Sequence, residues 1–350
     1  PVAAGPRPPL TSPALTYNMR AAIVAVILVA LILSSLPVFE KYKDIALNLN
    51  PNTFNQRAFP RTAEFNITRS FVMSAPGGAV SYSLNLAIPY DIPGMQDLVE
   101  VVENPQHTSE STKWWWNATV PAGGTSTVSV RYHLRMTTFV WDIKAEDVGT
   151  TADVPSSYTS RYLDPEWKIN PNSPAVRALA DQITNPTKPY LQQIDDLYTW
   201  LLSNYAYQTT ANFEPQTSEE TQARRGGDCD DFSVLFISMA RYLGIPAWLE
   251  LGLLYDEFRD QWGAHGWANV YIPLKAGGGV EATVDVVNKL FLIRDPYHFS
   301  DWSSDGDAQH LQDYYTLLSY VPQTTPPFSV TQSITHDNFR TSGVVNYFHP

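Results

Sequence analysis

The 350 residues are enough for two domains of ordinary size, with a core that needs no disulfide staples. A net charge of −12 leaves no phosphate-tracking basic face and argues against broad nucleic-acid binding. With 27 prolines against 18 glycines the composition suits strands, turns and linkers, and the single cysteine excludes an intrachain disulfide.

Residues 1–18 are proline-rich and read as a structureless leader. Residues 19–39, MRAAIVAVILVALILSSLPVF, carry no charge from Ala21 to Phe39 and are long enough to span a bilayer. Arg7 and Arg20 precede the run, whereas Glu40, Lys41, Lys43 and Asp44 nearly cancel after it, so the N-terminus is expected in the cytoplasm and the rest outside. A cleaved signal peptide is the rival reading. The cleavage region offers Leu-Ser-Ser in place of A-x-A, which favours an uncleaved transmembrane anchor. Met19 is a candidate true start.

From about residue 54 to 143 the stretches AEFNITRSFVM, AVSYSLNLAIP and STVSVRYHLRMTTFVW alternate apolar and polar between Pro-Gly, Gly-Gly and Asn-Pro breaks. The expectation is an extracytoplasmic β-sandwich over 40–149. Asn66 and Asn117 match N-x-[ST]. KWWWN at 113–117 reads as strand and core packing rather than a carbohydrate surface, because a tryptophan run brings no placed polar groups. Residues 150–172 read as a linker, and helices follow. Ser173 and Pro174 mark one helix start, and Leu191, Ile194, Leu197, Tyr198, Leu201 and Leu202 share a face of the next helix. A third helix runs from Cys229 to the Gly244–Pro246 stop. Three strand-like runs come after it: AWLELGLLY, GWANVYIPL and EATVDVVNKLFLI. Helices followed by strands make residues 173–320 an α+β domain. Residues 321–350 give no assignable pattern.

Cys229 stands at a predicted helix start, after the N-cap Asp228. The partial positive charge and unpaired N–H groups of a helix N-terminus favour thiolate over thiol. Gly226-Gly227 would let the backbone bend sharply and a substrate come close. Asp228, Asp230 and Asp231 oppose the thiolate, so a cationic partner is needed. His265, in HGWANVY, is the candidate general base, and Asp285, a lone carboxylate among Val284, Val286 and Val287, is the candidate that orients it. A hairpin through LKAGGGVE would bring the two strands together, and the Cys229 N–H would form half an oxyanion hole.

GGDCDDFS opening a helix, HGWANVY on one strand and VD on the next resemble the transglutaminase-like superfamily of papain-type thiol enzymes. The upstream stretches SSYTSRYLDPEWKINPNSPAVRALADQIT and DDLYTWLLSNYAY resemble the lead-in of prokaryotic and archaeal membrane-anchored members, so the resemblance covers about residues 150–320. Family members often have Asp-Pro-Thr where this chain has Asp285-Val286-Val287. The resemblance implies a papain-like core of helices on an antiparallel sheet, here preceded by the sandwich and the transmembrane helix. It also implies acyl transfer from a protein or peptide amide through a cysteine thioester. Water as acceptor gives a peptidase or amidase, the favoured reading, and an amine gives cross-linking. A non-catalytic binding or scaffold module is the reading from a different class. No cofactor is expected. The weak exception is half a calcium loop, with Asp301, Ser303 and Asp305 at positions one, three and five, but Gln312 in place of the closing Glu.

Overall fold

Alternating side chains build two four-stranded antiparallel sheets. The computed structural model describes residues 56–209, 214–316, 318–322 and 327–349; the expected leader and the transmembrane anchor over 19–39 lie outside the described residues. The chain divides into two units, Pro1–Arg57 with Phe348–Pro350, and Ala58–Tyr347, and nearly all described elements belong to the second. β1 (Gln56–Phe59) comes first, then β2 (Thr62–Ala75), β3 (Val80–Ala87), β4 (Gln96–Asn104), β5 (Ser109–Glu110), β6 (Lys113–Val120), β7 (Gly124–Thr137) and β8 (Phe139–Val140). Six α-helices lie among the described residues: α1 (Ser156–Tyr162), α2 (Pro174–Ile183), α3 (Tyr190–Asn204), α4 (Ser218–Arg224), α5 (Cys229–Tyr242) and α6 (Ala308–Tyr314). With them come β9 (Ala206–Tyr207), β10 (Gly226–Gly227), β11 (Ala247–Asp256), β12 (Gln261–Pro273), β13 (Gly279–Asp285), β14 (Leu290–Phe291), β15 (Ile293–Arg294) and β16 (His298–Ser303). β17 (Leu318–Pro322), β18 (Ser329–Ser342) and β19 (Val345–Phe348) close the chain.

One sheet runs β18-β2-β7-β4 and the other β17-β3-β6-β5. Their inward side chains share a core that includes Phe65, Ile67, Leu84, Leu86, Val130 and Leu134. The KWWWN tryptophans pack as strand alternation requires. Trp114 and Trp116 are buried, and Trp116 Nε1 donates to the Pro105 carbonyl at 2.8 Å. The two sequons differ: Asn66 is buried and its Nδ2 donates to Asp337 Oδ1, while Asn117 is exposed. Two strands come from the C-terminal stretch. β17 pairs β3, and β18 pairs β2 along most of its length, so the boundary drawn at 320 falls inside β17.

The segment 150–172, read as a linker, holds α1, whose buried Tyr162 stacks on Trp248 at 4.6 Å. Its sequence, SSYTSRY, is too short and polar to show a helical period. The thiol-bearing helix α5 is buried continuously from Asp231 to Arg241, as a central core helix must be. It packs on α2, α3 and α4 and on the face of a five-stranded antiparallel sheet ordered β14-β13-β12-β11-β16. Gly244, at φ 80°, ends it in the left-handed conformation. Among the described residues no helix is long and apolar enough to cross a membrane.

Candidate active site

Cys229 is the first residue of α5 and is half-buried. The glycines before it are not a sharp bend: neither has positive φ, and both form β10, a short parallel strand beside β9. Their smallness serves close approach. A Cβ at Gly226 would lie 2.6 Å from the Ala206 carbonyl oxygen, and one at Gly227 would run into the Asp231 carboxylate. Asp231 turns away from the thiol. It is fully buried, accepts the Asp228 N–H at 3.0 Å and binds both the backbone and side-chain amides of Gln216. Burial, and next the side chain and charge of Asp228, push Asp230 well above the carboxylate range, and Tyr315 Oη donates to it at 2.9 Å.

His265 sits on β12 opposite Gly252, and the β12–β13 ladder ends at Ala268–Val284, one residue short of Asp285. The expected hairpin therefore brings the two together, with His265 Nε2 2.8 Å from Asp285 Oδ2 and both side chains buried. The Cys229 side chain lines the same cavity as the His265 ring and acts on its charge. Burial works against the charged ring. The negative charges of Asp285 and Cys229 outweigh it and raise His265 to about 9. Asp285 is held well below its usual range: burial opposes this, and the His265 charge is the largest lowering cause.

Sequence reasoning missed two further partners of Asp285. Asn288 gives its N–H to Oδ1 at 3.0 Å and its Nδ2 to Oδ2 at 2.7 Å. The D-x-x-N spacing from Asp285 to Asn288 was the available signal. His298 places Nε2 3.0 Å from Asp285 Oδ2 and Nδ1 2.7 Å from Asp295 Oδ1.

Cys229 and His265 open into a cavity of about 210 Å³ whose lining also includes Asp230, Leu251, Gly266 and Tyr315 from the core and Arg69 and Gln332 from β2 and β18. The sheet pair thus supplies one wall of the site.

Two sets of three side chains among the described residues bring ligand-type atoms within 4.8 Å of one another: His265, Asp285 and His298, and Asp228, Cys229 and Asp230. In the first set both histidines turn Nε2 to Asp285 Oδ2, at 2.8 and 3.0 Å, and His298 keeps its Nδ1 on Asp295. The half calcium loop does not converge. Asp301 is buried against Arg69 at 2.6 Å and accepts from Tyr314 at 2.7 Å, whereas Asp305 faces His310 at 2.8 Å.

The match to known families falls on this region. The family model described as the transglutaminase-like superfamily matches residues 177–279, which contain Cys229 and His265. Residues 177–279 are a transglutaminase-like core. A crystal structure described as a "Putative Cysteine Protease" from Cytophaga hutchinsonii shares the fold at a TM-score of 0.58 and 14% identity, over 84% of this chain and 100% of that one. The periplasmic domain of TgpA from Pseudomonas aeruginosa aligns at 15% identity over 61% of this chain and 72% of its own, with a TM-score of 0.32. Among curated proteins none matches this sequence. Asp285 lies beyond the matched stretch of the transglutaminase-like core, on the strand that follows its hairpin.

Proposed function

We propose that the protein is a thiol enzyme that cleaves protein or peptide amides outside the cell, anchored by the apolar run over 19–39. The observation that carries the enzymatic part is the buried His265–Asp285 pair beside a half-exposed thiol at a helix N-terminus, in a cavity of substrate-side-chain size. The Cys229 thiolate attacks the amide carbonyl carbon. The oxyanion that forms lies near the Cys229 N–H, one of the first-turn groups that a helix leaves without an internal acceptor. His265 gives its proton to the departing amine as the C–N bond breaks, leaving a thioester on Sγ. Water then attacks the thioester, His265 takes its proton, and the acid leaves as the C–S bond breaks and the thiolate is restored. Asp285 keeps the ring oriented and stabilises its charged form. An amine entering in place of water would give a cross-link.

The test is iodoacetamide labelling of the full chain across pH, on wild type and His265→Ala. Rapid labelling of Cys229 below pH 7 that is lost in the variant supports a thiolate–imidazolium pair. Labelling that rises only near the free-thiol range of about 8.5, and ignores His265, would sink the reading in favour of a binding module. Release of free amine from a peptide library, against incorporation of a labelled amine, separates hydrolysis from cross-linking.

A further inference from the structure

Asp285 serves two histidines at once. Its Oδ2 receives His265 Nε2 at 2.8 Å, His298 Nε2 at 3.0 Å and Asn288 Nδ2 at 2.7 Å. The two rings lie 5.5 Å apart at 64° and cannot stack, so each meets the shared oxygen from its own side. His298 is fully buried at the start of β16. A ring in the interior with a carboxylate against each nitrogen donates from both when those carboxylates are charged, and is then a cation. We propose that His298 is a positioning residue for the thiol site: it fixes the Asp285 oxygen used by His265, and its positive charge offsets part of the negative charge that His265 sees. This inference rests on the thiol-enzyme reading above.

The groups that face His298 are few. Asp285 comes from β13, Asp295 from the turn before β16, and His265 and the Trp267 ring from β12. Arg294 donates to the His298 carbonyl at 3.0 Å and is itself paired with Glu250 of β11 at 2.6 Å. Burial disfavours the charged ring, but Asp295 first and Asp285 after it raise His298 to about 9. Two cations would thus share one anion. Removing one of them leaves Asp285 fully available to the other, so every remaining proton nearby is held more tightly.

The experiment is the pH profile of Cys229 alkylation for the full chain, wild type against His298→Gln, with thermal unfolding followed on the same samples. Glutamine can still donate to Asp285 but carries no charge. Both inflections of the profile should move to higher pH by about one unit. A folded His298→Gln protein with the wild-type profile overturns the proposal while leaving the thiol-enzyme reading intact. Absence of a low-pH labelling phase in wild type overturns both. Should the glutamine variant fail to fold, Asp295→Asn tests the same point from the other side of the ring. It removes the carboxylate that keeps His298 charged and should move the inflections the same way, and an unmoved profile there overturns the proposal equally.

Discussion

Asp285 is the residue on which the site turns, because every charge in it is measured against this one carboxylate. Asp285→Asn should leave the chain folded and lower kcat/KM on any amide substrate by about 10³–10⁴-fold, since the asparagine cannot stabilise the charged ring. The same pairing links the site to stability. His265 and His298 both sit near 9 in the folded chain against 6.5 for a free histidine. A raised histidine stabilises the fold fully below its unfolded value and loses that contribution as pH rises through the folded value. Tm should therefore fall as pH rises from 6.5 towards 9, and Asp285→Asn should flatten that fall when both proteins are followed by calorimetry. Cys229, His265 and Asp285 were legible in the sequence because each carries a local oddity: a lone thiol behind Gly-Gly-Asp, a histidine opening an apolar strand, and an acid among valines. His298 was not legible. Its neighbours 295–300 show no such oddity, and its place beside Asp285 depends on β16 crossing the sheet to pair with β11, three places from β13 in the strand order.

Among elements, the β9–β10 pair deserves a substitution because it delivers the thiol. Gly227→Ala would press a methyl group against the Asp231 carboxylate and should cost about 1–3 kcal/mol while slowing Cys229 labelling. Gly263 has nothing within 4 Å of its Cβ position, so Gly263→Ala is the matched control and should change the denaturation midpoint little. The reason for the glycines was misread from sequence because a bend and a close contact look alike in one dimension. α5 and the three strands after it were readable from period and stop signals. β18 was not, because most of its side chains are exposed and no face of it is apolar.

Across the whole molecule the sandwich and the five-stranded sheet share a buried ion pair, Arg69 on β2 with Asp301 on β16. Asp301→Ala would strand the arginine and should lower stability by about 3–5 kcal/mol, whereas replacing both residues by apolar side chains of similar size should restore most of the loss in urea titrations. The topology has a further consequence, for synthesis. β17 and β18 pair with β3 and β2, more than 200 residues earlier, and β18 brings Gln332 to the cavity wall. The early strands therefore leave the ribosome with open edges and wait for β17 and β18, a slow non-local closure. A nascent chain that has made its thiol, its histidine and its aspartate still lacks one wall of the cleft until β18 has been made.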